Sequence, residues 1–563
     1  MGFTVNKESG GDFGDGIQRR FAAFRRKPLE GKRIKSSECY GKKTFYFATS
    51  ARQRMPSQEQ ENQEGLQVMK KQLIRSRLLK ITVAFAMMIS AIWLSGCGRQ
   101  ETETEQGAVY VAEDGDDETG TGAWKAPYAT ISHAAETAPG SLILVGKGEY
   151  EPLDLGPECS GSKDSPTVIR PAEGAKVVIH VEDETGIFLK NVHDISIEGL
   201  ETVGGTYAVE YLSTPEAGKQ PLSNISIRNC KVHGVRGQHG ICVYARNDLA
   251  PVTDLTIEGC EVYDCECYWS ESMVINGNID GFLIERNKVH DNNNIGIDMI
   301  GFEGFACHQG ETGDVNPYEV DYVRNGICRD NLVYNISTEG NDAYYEDGEY
   351  DLCAGGIYVD GGQNIEIYNN FIFNCDLGLE VATEHSPEEN ELFKVSGISV
   401  HDNVIADCTG FAGLAFGGYE RDLGFTEDCV FDNNTLVDNP YQIVVQRSRK
   451  NRICANLVLG GEEGFFFEPA CREEGQVNEI SGNAAAEIEN EESWTEEYGA
   501  VYSDRSETVD GFRPLIKDTG SAFVPDEEQM KIYKAQKRRN RWNQLLEKVE
   551  SWFHRFLGES EEE

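Results

Sequence analysis

NIEIYNNFIFNCDLGLEV, residues 364–381, decides the fold. Ile365 and Ile367 alternate with polar neighbours, Asn369-Asn370 makes a turn, and Phe371–Phe373 starts a second short run. After Asn374 a second turn leads into Gly378-Leu379-Glu380-Val381. Alternation with period 2 marks strands, not helices. The pattern recurs as NISIRNCKVHGVRGQHGICV from Asn224, GFLIERNKVHDNNNIGIDM from Gly281, GISVHDNVIADCTGFAGLAF from Gly397 and CVFDNNTLVDNPYQIVV from Cys429. The copies span roughly 20 to 30 residues, the range of solenoid repeats. A single coil cannot bury its own apolar face, so coils must stack.

Aligning the copies tests the stacking. Leu200, Cys230, Cys260, Asn287, Asn331, Asn370, Asn403, Asn434 and Asn456 fall in one column. An inward asparagine at a corner satisfies backbone amides where no sheet ladder exists. A second column runs Asp264, Asp291, Asn335, Asn374, Asp407, Asp438. These ladders resemble the pectate-lyase-like superfamily of right-handed parallel β-helices, over roughly 108–520. The resemblance implies an all-β chain: a single-stranded right-handed parallel β-helix of about nine or more coils.

The ends read as caps. Residues 108–150 contain an opening strand, an acidic loop at Asp114–Glu118, a helix near Thr130–Thr137 and a strand at Leu142–Val145. The helix is expected to plug the open end of the core. From Glu527 to Phe556 an amphipathic helix carries Leu545, Leu546, Val549, Trp552, Phe553 and Phe556 on one side. It is expected to cap the last coil or to trail free, within a helical tail over 521–563.

Residues 69–97, MKKQLIRSRLLKITVAFAMMISAIWLSGC, have a basic start, an apolar run from Ile81 to Leu94 and a terminal Leu-Ser-Gly-Cys. The run is short for a membrane span. The order resembles a bacterial lipoprotein signal, which implies lipidation at Cys97 and a polar tether over 98–107. Residues 1–68 lie upstream of a natural start and are set aside from fold reasoning. The expected location is the bacterial cell envelope, outside the cytoplasm, with a lipid anchor as the only membrane contact.

The formal net charge of the 563 residues is −43, although the first eighty are basic. Such a surface repels nucleic acid and anionic membrane, and it meets a polyanionic glycan only through bridging cations. The partner expected is a glycan, and the chain is expected to be monomeric. Sixteen cysteines include stacked pairs, Cys230/Cys260 and Cys375/Cys408. Buried thiols filling ladder positions are preferred to disulfides.

In the Gly-Ile-x-Val strands, Ile and Val point inward and the x positions outward, onto one flat face. Read coil by coil, that face carries Cys242 and Tyr244, Asn276 near Glu271, Asp298, Tyr358 and Asp360, then Glu380; Ala415 and Gln446 follow. Carboxylates thus concentrate on three successive coils. Asp360 and Glu380 should lie with Cα atoms about 8 Å apart and carboxyls about 5 to 9 Å apart, a range that includes both glycosidase geometries. Crowding raises one pKa and supplies an acid beside an ionised partner. Catalysis by Asp360, Glu380 and Asp298 is preferred. Two other readings stay open: binding without chemistry, of sugar or of calcium at Asp298 and Asp360, and plain acidic surface. The long segments 301–322 and 341–350 are expected to wall the patch. Tyr244, Asn276, Phe302, Glu303, Tyr358, His385 and Tyr419 are the expected sugar contacts.

Gly355-Gly356-Ile357-Tyr358-Val359-Asp360, followed by Leu379-Glu380-Val381, is similar to the paired carboxylates of family 120 glycoside hydrolases. That likeness implies Asp360 as nucleophile and Glu380 as general acid/base. The entry segment resembles family 9 polysaccharide lyases, which use a lysine base near calcium. Here Lys288 and Lys394 lie on other turns, so hydrolysis is expected over calcium-dependent elimination. The non-enzyme alternative is a surface carbohydrate-binding or adhesion module, which would present an open face rather than a walled one.

Overall fold

The computed structural model describes residues 107–307, 316–418, 424–472, 475–502 and 519–557. Lys70–Cys97, with the lipidation site, and Tyr419 lie outside the described residues.

Three long sheets of parallel strands run side by side through the chain, with 16, 11 and 13 strands. Each coil contributes one strand to each sheet, and the next coil pairs with it in register. The architecture is a right-handed parallel β-helix. Strands run from Val109 to Tyr502, and ten strands of the 11-stranded sheet fall between Thr185 and Phe467. One continuous core fills the tube, from Val111 and Ile143 through Ile257, Ile284 and Ile367 to Phe465 and Trp494.

The corners explain the sequence columns. From Asn287 to Asn483 each inward asparagine receives its neighbour's amide: Asn331 N donates to Asn370 Oδ1 at 3.0 Å, and Asn370 N to Asn403 Oδ1 at 3.0 Å. The side-chain Nδ2 groups donate in turn to carbonyls of the preceding coil. The second column is not inward. Asp264, Asp291, Asn335, Asn374, Asp407 and Asp438 all have φ between 52° and 55°. Asn and Asp tolerate this left-handed bend better than other non-glycine residues. The glycine opening each Gly-Ile-x-Val strand has another cause. A Cβ on Gly378 would lie 2.4 Å from Ile405 Cγ2 and 2.5 Å from the Gly413 carbonyl, so only glycine fits.

The described cysteines are free thiols, most of them buried. Helix α1, Ile131–Thr137, is capped by Thr130 Oγ1 accepting from His133 N at 3.3 Å, and it buries Ile131, Ala134 and Ala135 over the first strands. In the acidic loop, Asp116 and Asp117 accept backbone amides of Glu118, Thr119, Ala129 and Thr130.

Helix α2, Glu527–Leu557, departs from expectation. It does not cap the last coil; its first turns dock on the side of the tube, and from Arg541 to Val549 it is exposed all round, as a free-trailing helix would be. Its first turns lie on the outer face of the 13-stranded sheet, where Tyr533 packs on Phe371 and Phe373 with ring centroids 5.6 and 5.2 Å apart. Lys537 pairs with Asp407 at 3.0 Å, and Asn540 donates to Asn374 at 2.6 Å. The expected packing stripe is the exposed one: Leu545, Leu546, Val549 and Trp552 are 41–57% exposed. Aromatic contact and turn-column polar partners outweighed the longer aliphatic stripe.

Candidate functional site

The 11-stranded sheet positions the candidate residues. Its central strands are β1 (Tyr207–Ser213), β2 (Ile241–Ala245), β3 (Met273–Gly277), β4 (Ile297–Ile300), β5 (Gly355–Asp360) and β6 (Leu377–Ala382). Pairing sets one outward column as Glu210, Cys242, Val274, Asp298, Tyr358, Glu380. The neighbouring column holds Leu212, Tyr244, Asn276 and Ile300, and on β5 and β6 Asp360 pairs with Ala382. Tyr358 therefore stands between Asp298 and Glu380. Asp360 lies two residues along from Tyr358, diagonal to both, with Cα separations of about 8 Å.

This face is not an open, flat one. Asp298 and Tyr358 are each 1% exposed, Asn276 2% and Asp360 5%; Glu380 is half-buried. Chain from the corners covers the strands. Burial changes two roles expected from sequence. Asp298 is sealed and cannot present its carboxyl to a ligand from solvent. Phe302 is 1% exposed and packs between Tyr322 and Phe393, at 5.3 Å from each ring, so it offers no face for stacking on a sugar.

The covering segments are locked to one another. His385 Nε2 meets Glu303 Oε1 at 3.0 Å. Asn316 and Asn390 exchange side-chain hydrogen bonds of 2.7 and 2.9 Å. Asp321 accepts from the amides of Gly304 and Ala306, each at 2.6 Å. Arg447 holds Glu388. The amide of Glu384 donates to Asp360 Oδ1 at 3.1 Å, so the lid-like segment after β6 orients that carboxylate. Segment 341–350 contributes Tyr344, whose hydroxyl accepts from Asn294 Nδ2 at 3.1 Å and whose ring packs on Trp269.

Two residues outside the expected set complete the site. Glu271, in the turn before β3, is pushed up to about 8, first by burial and then by the charges of Asp360, Glu303 and Glu384. It is therefore protonated at neutral pH while its side chain keeps 14% exposure. Burial pushes His239 down to about 4. Its Nδ1 lies 3.4 Å from Glu271 Oε2, and its Nε2 lies 2.6 Å from Tyr244 OH. A neutral acid beside a neutral imidazole is self-consistent: neither charge is present to stabilise the other. His385 is driven the opposite way, up to about 9; burial opposes its charge, but the hydrogen bond and charge of Glu303, with Asp360 and Glu384, prevail. Tyr244 is braced by Phe305 at 5.0 Å and by the Arg246 guanidinium. Buried Asn276 Oδ1 has no hydrogen-bond partner.

Asp360, Glu271, Glu303, Glu384 and His385 thus form one electrostatic group, with Glu380 diagonal to Asp360. Sequence alternation located the strand residues. It gave Glu271 no role and missed His239; both sit at a corner, outside the two-residue period. Among the described residues no three His, Cys, Asp or Glu side chains are grouped so as to hold a metal ion, Asp298 and Asp360 included.

A curated protein of Bacillus subtilis (strain 168), the uncharacterized protein YwoF, is 31% identical over 418 residues, covering 68% of this chain and 82% of that one. The chain belongs to the YwoF family. Residues 314–545 of the present chain also match the family model described as NosD, periplasmic copper-binding protein. Solved structures similar to it include pectate lyase Pel9A, 14% identical over 61% of this chain and 79% of that chain, with a TM-score of 0.42. Another is the GH136 lacto-N-biosidase from Eubacterium ramulus, 14% identical over 68% of each chain, with a TM-score of 0.44. Likenesses this distant carry no argument about chemistry, which rests on the site itself.

Proposed function

We propose that this YwoF-family protein is a glycan-active enzyme of the bacterial cell envelope that hydrolyses a glycosidic bond in a polysaccharide or oligosaccharide. One feature carries the reading: burial, with the charges of Asp360, Glu303 and Glu384, raises the Glu271 carboxyl to about 8, so a proton donor stands among other carboxyl groups. Glycoside hydrolysis needs such a donor for the leaving oxygen and an ionised carboxylate on the other side of the bond. Glu271 donates the proton. Asp360, oriented by the Glu384 amide, attacks the anomeric carbon or activates water. Glu380, diagonal to Asp360, is the second candidate for the acid.

Several features favour this over the alternatives. The carboxylates sit under corner segments, as a catalytic cleft requires and an adhesive face does not. Lys288 pairs with Glu261 and Lys394 with Glu427, so neither serves as the base of an elimination. Copper and calcium have no part in the proposal. The apolar stretch before Cys97 and the periplasmic name of the NosD model support export and lipidation at Cys97.

Digestion of a glycan panel tests the reaction. Hydrolysis yields products heavier by one water for each bond cut and without ultraviolet absorbance. Products with absorbing unsaturated ends would establish a lyase instead. Saturable binding of a glycan with no product at any pH would establish the adhesion module.

A further inference from the structure

Helix α2 carries a surface that the fold leaves uncovered. At 100° per residue, its docked side is set by Tyr533, Gln536, Lys537 and Asn540, which meet the 13-stranded sheet and its corners. The opposite side holds Trp542, Leu545, Leu546, Val549 and Trp552 within an arc of about 120°. These five are 59, 51, 44, 41 and 57% exposed. Toward the N-terminus the same side continues with Lys531, Lys534 and Arg538, and Arg539 and Arg541 flank it; all five are exposed. From Lys531 to Arg541 there are six basic residues and no acidic one, in a chain of net charge −43.

We propose that this side of α2 lies on an anionic lipid surface, with the basic turns among the headgroups and the two tryptophans at the acyl boundary. The contact is independent of the glycan-active reading and additional to a lipid at Cys97. The chemistry of the arc selects the occupant. Apolar residues with tryptophans on one side, and Lys and Arg around them, are the composition of helices that lie in the membrane interface. Basic residues close to an anionic leaflet are drawn to its surface potential. A second copy fits less well. Paired in parallel, two such helices set Arg538, Arg539 and Arg541 against their equivalents; paired antiparallel about the arc, they set these cations against apolar turns, and neither arrangement neutralises them. The exposed large apolar residues elsewhere in the described chain, such as Trp124, Leu249, Tyr345 and Val477, lie apart from one another in sequence and are not gathered with this arc. The expectation that an acidic protein shuns anionic membrane holds for its bulk and fails for this helix.

The test uses the full chain and vesicles whose acyl chains carry bromine, which quenches tryptophan on contact. The signal is the difference between the parent and W542F/W552F, so any contribution from residues 81–94 or from the other tryptophans cancels. In phosphatidylglycerol vesicles the helix tryptophans should lose at least half their emission. In phosphatidylcholine vesicles they should lose little. R538Q/R539Q/R541Q changes only exposed side chains and should abolish the quenching with an unchanged circular dichroism spectrum. Unquenched helix tryptophans in phosphatidylglycerol overturn the proposal, and so does equal quenching in both lipids. Sedimentation showing self-association that W542E abolishes would overturn it in favour of a second copy.

Discussion

Two outward faces of the same tube, on different sheets, are both buried, for opposite reasons. On the 13-stranded sheet the outward column reads Leu332, Phe371, Val404, Thr435 and Leu457, apolar but for one threonine, and α2 covers it with Met530 and Tyr533. That is ordinary hydrophobic closure: apolar area leaves water and stabilises by about 25 cal/mol per Å². On the 11-stranded sheet the outward residues are Asp298, Tyr358, Asp360 and Glu380. Covering them removes carboxylates from water, which destabilises. A stable β-helix has no need of the second arrangement. Its presence is what the proposed glycan chemistry rests on.

Substitutions on the two faces should therefore behave oppositely, beginning with the largest effect. Asp360→Asn keeps the acceptor for the Glu384 amide and removes a buried charge. Activity on an authentic glycan should fall by about three powers of ten or more, while the thermal midpoint holds or rises. Full activity in this variant would place the chemistry elsewhere.

Glu271→Gln should lower kcat by about 10² to 10⁴-fold and abolish the alkaline limb of the pH profile near 8. Stability supplies an independent check. The folded carboxyl titrates near 8, above the unfolded value of about 4.3. Between those limits the folded state holds the extra proton, so the Glu271 contribution is fully present at acid pH and is lost as pH rises toward 8. Denaturant melts should show the gap between parent and Glu271→Gln narrowing from pH 5 to pH 8. A constant gap would mean that Glu271 titrates normally.

The other face should yield only to loss of packing. Phe371→Ala removes a fully buried ring and should cost about 3 to 5 kcal/mol without altering the pH profile of activity. Smallest of all, Lys537→Gln breaks a partly exposed pair with Asp407 and should cost about 1 kcal/mol or less. A loss as large as that of Phe371→Ala would mean that charge, not apolar contact, holds α2.

The sequence made the repeat legible because its signals are local. Alternation, the asparagine column and the glycine before each Ile-x-Val all recur at coil spacing. Asp298, Tyr358, Asp360 and Glu380 could be assigned to one face by the same alternation. Their burial could not, because it depends on where segments 301–307, 316–322 and 383–393 fold back. Glu271 was hidden for a related reason. Its raised pKa comes first from burial and then from Asp360, Glu303 and Glu384, residues 32 to 113 positions away in the chain. The docking side of α2 was misread because the stronger aliphatic stripe is solvent-facing, while one tyrosine and a few polar contacts fix the helix.

The asparagine ladder also acts as a ruler that ignores what lies between its marks. Successive members are 44, 39, 33, 31, 22 and 27 residues apart, yet each bonds the next at 2.9 to 3.1 Å. Extra chain is shunted out at the corners, and the rung itself never changes height. Evolution can thus lengthen a wall of the cleft, or splice in a whole rung, without renegotiating the rest of the tube. Half a rung is forbidden, since it would turn every inward side chain to the outside.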